Sequence, residues 1–271
     1  MRWQGRTGSS NVQDRRGKRM SGGMMGGGAG LIIAIIAALF FGVDPGAILN
    51  QAPAIQETPG PTTPEEQRAG EFVSVVLADT EATWNALLAE RGIDYPEPTL
   101  VLFSGAVQSA CGNASAATGP FYCPNDQDVY LDTSFFEELS ARFGAPGDFA
   151  QAYVIAHEVG HHVQNVLGVF EQTGQQRSHE TQVRIELQAD CLAGVWGHHA
   201  QAQQGFLEWG DIEEGLAAAS AIGDDRLQKQ AQGHVVPESF THGTSEQRMA
   251  WFKRGVESGR PETCDTFSSD L

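Results

Sequence analysis

The chain has 271 residues, of which 41% are hydrophobic, so one enzyme-sized domain with a substantial core is expected. Its formal net charge of −17 is unevenly distributed. Residues 1–30 carry six Lys and Arg against one Asp, whereas the other 241 residues carry 11 basic and 33 acidic side chains. Such an acidic main domain argues against nucleic acid or an anionic lipid surface as its partner.

The N-terminal region predicts a membrane anchor. We interpret the basic residues 1–23 as a flexible tail, and they precede an uncharged segment, residues 24–43, whose end is strongly apolar. Because twenty helical residues span about 30 Å, the thickness of a bilayer core, we expect one transmembrane helix over residues 24–43. Four glycines weaken its early part: Gly26, Gly27, Gly28 and Gly30.

Basic residues just before this segment predict its orientation. By the positive-inside rule, Arg15, Arg16, Lys18 and Arg19 place the N-terminus in the cytoplasm and the C-terminal domain outside it. The expected localisation is therefore the cell membrane, with a single crossing. A cleaved signal peptide is the alternative, but the charged region is long and no clear Ala-x-Ala site follows.

The remaining chain divides into a linker and one domain. Four prolines in residues 44–63 predict an extended linker, and residues 64–271 form the predicted domain. Within it, residues 64–91 have the periodicity of an amphipathic helix, and residues 99–103 that of a short buried strand. Residues 128–132 alternate as a half-buried strand, and a peptide could add to the edge of that sheet.

The most informative motif is HExxH at residues 157–161, comprising His157, Glu158 and His161. On a helix, positions i and i+4 lie on the same face, so both imidazoles can bind one zinc ion while Glu158 reaches a water held there. The flanking residues are apolar, and Asp148 with Gln151 predicts a capped helix start. The motif therefore predicts a zinc hydrolase.

A catalytic zinc needs a third protein ligand and an open position. The extended HExxHxxGxxH pattern is absent, so we assign the third ligand to Glu186, on a second helix expected over residues 178–199. Asp190 lies one turn further on, where it can hydrogen-bond a ligand histidine and fix its tautomer. Glu171 and Glu180 are the alternative third ligands.

His242 is the histidine outside the motif with a predicted catalytic role. It precedes a helix that Thr244 and Gln247 can cap, and together with Arg248 it could stabilise an oxyanion. A purely structural histidine and arginine are an equal alternative. The other histidines are expected to be packed or on the surface: His162, His179, His198 and His199. After residue 206 the chain is again expected to be helical, with Asp211 and Glu214 as a capping pair.

The four cysteines agree with export. None forms a Cys-x-x-Cys pair, so two disulfides are favoured over a structural zinc site. Of the three possible pairings we predict Cys111 with Cys123 and Cys191 with Cys264, and free buried thiols are the alternative.

Several segments together resemble one family, named "Putative neutral zinc metallopeptidase", of bacterial membrane-anchored proteins. These segments are residues 11–17, 119–124, 152–162, 186–191 and 240–244. The resemblance implies a gluzincin-like peptidase without naming a substrate. Residues 186–190 and 241–242 also resemble segments of the membrane zinc peptidases that process prenylated proteins, although Gly243 stands where those enzymes usually have proline.

The predicted fold is an α-rich α+β, zincin-like domain, with a small β-sheet packed over two zinc-bearing helices and preceded by one transmembrane helix.

The predicted function is peptide hydrolysis with one catalytic zinc held by His157, His161 and Glu186, and with Glu158 as general base. Its partners would be a peptide or protein substrate and the membrane. Two other classes stay open: a zinc-bound but non-catalytic interaction protein, and a membrane-tethered adaptor with a structural metal. The presence of Glu158 argues against both, because a structural site needs no base.

Overall fold

The computed structural model describes residues 1–16, 62–174, 177–269 and 271, with the backbone of residues 18–20 and 57–59. The chain divides into two compact units, which are Met1–Asp14 with Thr63–Leu271, and Arg15–Thr62. In the second unit, strand β2 (Lys18–Met20) pairs antiparallel with strand β3 (Glu57–Pro59).

The described part of the chain contains eight α-helices. They are α1 (Pro64–Ala89), α2 (Ser134–Ala141), α3 (Asp148–Val166), α4 (Val169–Thr173), α5 (His179–Gln204), α6 (Asp211–Ala221), α7 (Asp224–Gln232) and α8 (Ser245–Ser258). The predicted helices over residues 64–91 and 178–199 correspond to α1 and α5. α1 begins with a capping box between Thr63 and Glu66, and α8 with the predicted one between Thr244 and Gln247.

A four-stranded sheet has the order β1-β4-β8-β7. Its strands are β1 (Val12–Asp14), β4 (Leu100–Phe103), β8 (Asp128–Asp132) and β7 (Phe121–Cys123). β1 and β8 run parallel to β4, and β7 runs antiparallel to β8. A separate hairpin joins β5 (Ala106–Ser109) to β6 (Gly112–Ser115).

Strand β8 differs from its prediction. It is an interior strand rather than the edge, and its alternating residues are buried on both faces. Val129 and Leu131 join the main core, whereas Tyr130 packs with Val101 and Phe103 in a second cluster. The alternating pattern predicted one solvent-exposed face because tyrosine has a polar hydroxyl. In the structure this hydroxyl donates a hydrogen bond to Asp126 at 2.8 Å, so Tyr130 can be buried. The two edge strands of this sheet are β1 and β7.

Helix α3 is central to the core. It packs against α5, α6 and α1, and contacts the sheet through β7 and β8. Gly160 permits the close approach of α5, because a Cβ atom there would lie 3.0 Å from the carbonyl oxygen of Ala189. α5 and α8 approach similarly at Gly255, where a Cβ would lie 2.0 Å from the carbonyl oxygen of Cys191.

The start of α3 differs from the predicted cap. Asp148 is its first helical residue, and the N-cap is Gly147. Glu214 of α6 accepts a hydrogen bond from the Phe149 N–H at 3.1 Å, so the acid expected to cap its own helix serves α3 instead. The carboxylate of Asp148 accepts one from the indole of Trp3 at 3.1 Å.

The first fourteen residues belong to the folded domain, in contrast to the predicted flexible tail. Trp3 is buried and meets Phe72 edge-to-face, with ring centroids 5.3 Å apart. Asn11 donates to Glu81 at 2.9 Å, and β1 adds a parallel strand beside β4. The charge count did not predict this packing, because the aromatic and strand-forming residues that contact the domain lie among the basic residues.

The predicted transmembrane helix and single-pass localisation are corrected. Among the residues described, no helix has both the length and the apolar character needed to span a bilayer. The predicted anchor, residues 24–43, lies outside the described residues. One crossing between residues 15 and 62 would also put β1 and β4 in different compartments, where they could not pair.

The docking of the N-terminal segment predicts an engineered cross-link. A Cβ built at Gly8 lies 3.0 Å from the Cβ of Ser74, and a small shift reaches the roughly 3.5–4.5 Å of a disulfide. Gly8→Cys with Ser74→Cys should therefore cross-link, as read by peptide mapping without reductant. Gly5→Cys with Ser74→Cys is the control, since a Cβ at Gly5 has no atom within 4 Å. Free thiols at positions 8 and 74 would contradict the docking.

Candidate metal centre

Helix α3 presents the two histidines of the motif on one face. His157 and His161 are one turn apart, with ring centroids 4.7 Å apart. Both side chains are largely buried, with 7% and 12% of their surface exposed. The face of α3 that carries these histidines lines a cleft.

Glu186 reaches the same point from α5. Its Oε2 atom lies 3.1 Å from Nε2 of His157 and 3.5 Å from Nε2 of His161. One ligand atom from each of the three residues lies within 4.8 Å of the others, so all three can hold one metal ion. Two imidazole nitrogens and a carboxylate oxygen are the ligand set of a catalytic zinc with an open fourth position.

The electrostatics of this cluster favour a cation. Burial alone would raise the pKa of Glu186, but the two imidazoles outweigh it and hold the pKa well below its usual range. Glu186 is therefore a carboxylate at neutral pH. Burial opposes a charge on His157, yet Asp190 and Glu186 raise its pKa to about 10. A metal ion binding there must displace a proton.

Asp190 orients His157 from one turn further along α5. Its Oδ1 atom lies 2.9 Å from Nδ1 of His157, which leaves Nε2 directed at the metal position. Arg248 of α8 donates to the two carboxylate oxygens at 2.8 and 2.9 Å. Tyr153 donates its hydroxyl to the same carboxylate. Burial would raise the pKa of Asp190, but Arg248 and His157 lower it to about 2.

Arg248 therefore has a different role from the predicted oxyanion donor. Its side chain is 2% exposed and forms an ion pair with Asp190, so the guanidinium is committed to the carboxylate that orients His157. Removing one partner of such a buried pair typically costs about 3–5 kcal/mol.

Glu158 lies beside the metal position and lines the cleft. It is 7% exposed, and burial raises the pKa of its carboxyl, with His157 and His161 acting in the opposite direction. A carboxyl group whose pKa is raised binds a proton more readily than an exposed one, as a general base requires.

His242 lines the same cleft and is held by Asp224, a residue that the sequence did not indicate. Asp224 Oδ1 lies 3.2 Å from Nδ1 of His242, and Oδ2 accepts from the His242 N–H at 2.6 Å. This hydrogen bond raises the pKa of His242. No local pattern reveals the pair, because 18 residues separate its members.

The cleft has a volume of about 490 Å³. One wall comes from Gly119, Pro120 and the edge strand β7, and His242 lies on another side. Apolar side chains form much of the remaining lining: Phe135, Phe143, Val154, Ile222 and Leu227. The cleft thus combines residues of an edge strand with an apolar lining.

The other candidate ligands lie outside this cluster. His162 is fully buried and bonds the Pro96 carbonyl at 2.6 Å and Tyr122 at 3.0 Å. Glu180 pairs with Arg184 at 3.0 Å, and Glu171 is exposed. The remaining histidines bond carbonyl oxygens elsewhere: His179 with Glu238, His198 with Val256, His199 with Gly259 and His234 with Gln232.

Two disulfides join the cysteine pairs expected from the sequence. Cys111–Cys123 ties the β5–β6 hairpin to the end of β7, and Cys191–Cys264 ties the C-terminal tail to α5. The described residues include no free cysteine.

The site defines a class of protein, one with two histidines and a glutamate around a metal position and a buried carboxyl beside it. Residues 1–267 match the family "Putative neutral zinc metallopeptidase", and the chain belongs to that family.

Its relatives extend this match over the whole chain. It is 50% identical over 290 aligned residues to an uncharacterized protein of Escherichia coli strain K12, with all of both chains covered. It is 44% identical over 256 residues to an uncharacterized protein of Mycobacterium tuberculosis strain H37Rv, covering 86% of this chain and 85% of that one. No solved structure matches.

The cluster predicts the outcome of removing each ligand. His157→Ala, His161→Ala and Glu186→Ala should each abolish stoichiometric zinc binding, because two remaining ligands hold the ion weakly. Metal analysis of the purified protein after dialysis measures this. His179→Ala is the matched control and should keep full occupancy. Full occupancy in Glu186→Ala would redirect the third ligand to another carboxylate.

Proposed function

We propose that this protein hydrolyses peptide bonds with one zinc ion held by His157, His161 and Glu186. The observation that carries the proposal is the buried carboxyl of Glu158 beside a three-ligand cluster that opens into a cleft. A structural zinc site closes its fourth position with another protein ligand and needs no base. A non-catalytic zinc-bound protein would have no use for this acid.

Zinc bound here would polarise the substrate carbonyl and acidify a water molecule. Glu158 takes a proton from that water while the water oxygen attacks the carbonyl carbon. It then delivers the proton to the leaving amine, which departs as the C–N bond breaks. The raised pKa of Glu158 supports both transfers, because the group holds the proton transiently.

His242 is suited to stabilise the negative charge that develops on the carbonyl oxygen. Its Nδ1–H donates to Asp224, so the protonated ring presents Nε2–H to the cleft. The hydrogen bond with Asp224 raises the pKa of His242, which keeps the ring protonated to higher pH. His242 would touch the substrate, and Asp224 acts through it.

The substrate would bind as an added strand on β7. This strand is the end of the β1-β4-β8-β7 order, and its residues Phe121 and Tyr122 line the cleft. Backbone hydrogen bonds along a sheet edge hold an extended peptide whatever its sequence. The apolar lining then favours a bulky apolar side chain near the scissile bond.

Glu158→Gln tests the enzyme proposal. The amide keeps the size and all three ligands but cannot accept the proton, so zinc content should persist while cleavage falls about a hundredfold or more. Casein cleavage with and without a chelator is the measurement. Glu171→Gln, an exposed residue outside the cleft, should match wild type. Zinc-loaded wild type without chelator-sensitive cleavage, or equal activity in wild type and Glu158→Gln, would contradict the proposal.

The His242–Asp224 pair predicts a shift in pH dependence. Activity needs the protonated ring, so it is lost as pH rises through the pKa of His242, which Asp224 holds above its ordinary value. Asp224→Asn lowers that pKa, and the alkaline limb of kcat/KM should move to lower pH. In a His242→Ala background the same substitution should leave the limb in place. An unchanged limb in Asp224→Asn would exclude this role for His242.

A further inference from the structure

The second zinc ligand of the proposed site is supported differently from the first. His157 is oriented by the buried carboxylate of Asp190, whereas Nδ1 of His161 lies 2.8 Å from the amide oxygen of Gln164. Gln164 lies three residues beyond His161 on α3 and is fully buried. A neutral amide can present either its oxygen or its NH2 group to a histidine. The hydrogen bonds that fix the orientation of the Gln164 amide therefore decide the tautomer of His161.

The surroundings of Gln164 allow one orientation. Its Nε2 group donates to the Ile185 carbonyl at 2.8 Å and to Oε1 of Gln188 at 2.9 Å. Turning the amide over would bring its oxygen against these two acceptors, at the cost of both hydrogen bonds. The oxygen must therefore face His161, whose Nδ1 carries the proton and whose Nε2 stays free for the metal.

The chain of hydrogen bonds continues to the C-terminal tail. Nε2 of Gln188 donates to the Cys264 carbonyl at 3.0 Å, which sets the orientation of this second amide. Cys264 is held to α5 by its disulfide with Cys191. Further along the tail, Thr266 donates to the Arg184 carbonyl at 2.7 Å. This series of hydrogen bonds therefore ends at the Cys264 carbonyl, whose position is fixed by the C-terminal tail and its disulfide.

We propose that Gln164, Gln188 and the Cys264 carbonyl form a relay that positions His161 for zinc, anchored by the Cys191–Cys264 disulfide. The two glutamines are positioning residues, since neither touches the metal position. This inference rests on the proposed zinc site and adds a coupling between the C-terminal tail and metal affinity. Loss of the disulfide should weaken zinc binding through Gln188 and Gln164.

Substitutions of the two glutamines test the relay by zinc affinity, measured by competition with a fluorescent chelator. Gln164→Leu removes the acceptor of the Nδ1 proton and should weaken binding about 10- to 100-fold. Gln188→Leu should cause a smaller loss, because Gln164 keeps its bond to the Ile185 carbonyl. Gln151→Leu, on the same helix two turns before the motif, is the matched control and should bind like wild type.

A conservative variant separates positioning from packing. In Gln164→Glu one carboxylate oxygen still accepts from Nδ1 of His161, so zinc affinity should stay well above that of Gln164→Leu, even though the other oxygen now faces the Ile185 carbonyl. Gln188 must then turn its amide towards the new carboxylate, and its bond to the Cys264 carbonyl is lost. Folded Gln164→Glu that binds zinc no better than Gln164→Leu would contradict the proposal, because this variant keeps both the shape of the side chain and an acceptor for Nδ1 of His161.

The two disulfides provide the test of the anchor. Cys191→Ala with Cys264→Ala should weaken zinc binding, whereas Cys111→Ala with Cys123→Ala should not, since that pair lies outside the relay. In the Gln164→Glu background, removal of Cys191–Cys264 should have no further effect on affinity. An equal effect in both backgrounds would mean that the disulfide acts through general stability, and would overturn its role as anchor.

The outcomes also separate this inference from the proposed site. Wild type that binds no zinc would overturn both. Wild type that binds zinc, with folded Gln164→Leu equal to it within about twofold, would overturn the relay alone. In the cobalt(II)-loaded protein, the exchangeable Nδ1 proton of His161 should exchange faster with solvent in Gln188→Leu than in wild type. Unchanged exchange would count against the relay even if Gln164→Leu fails to fold.

Discussion

The buried carboxylate of Asp190 holds together the three helices that build the site. It lies on α5, accepts hydrogen bonds from Tyr153 and His157 of α3, and pairs with Arg248 of α8. A carboxylate shielded from solvent is stable only with such partners, so displacing α3 or α8 would leave a buried charge uncompensated. The contact that orients one metal ligand is therefore also a contact that assembles the core. Gly255 makes it possible, because any side chain there would hold α8 away from α5.

Both ends of the chain reach the zinc-bearing helices. Trp3 donates to Asp148 at the start of α3, and the tail at Cys264 lies against α5 through a disulfide and the amide of Gln188. The family match over residues 1–267 includes both of these segments. Ligand geometry in this protein is thus a property of the complete fold, since the outer supports of His157 and His161 arise from different elements.

Sequence patterns were informative where the interaction is local and misleading where it is not. The spacing of His157 and His161 sets their common face through helix geometry alone, and the capping box at Thr244 and Gln247 is closed within one turn. The role of Glu214 was misread, because its partner is the N–H of Phe149, 65 residues away. The apolar segment over residues 24–43 was interpreted from its hydropathy alone. The pairing of β1 with β4, which is incompatible with a single membrane crossing between them, cannot be read from hydropathy.

Three features of the sequence were enough to predict a metal site and its disulfides: two histidines and a glutamate in HExxH, a carboxylate pair at Glu186 and Asp190, and an even number of cysteines. These are residue types at helical spacing, and helix geometry converts spacing into direction without reference to the rest of the chain. The groups that surround these residues could be identified only from the folded protein. Asp224 meets His242, Arg248 is committed to Asp190, and Gln164 connects His161 to the C-terminal tail. Each of these contacts depends on how separate elements pack, and packing depends on side-chain shape and burial across the whole chain, which no local pattern records.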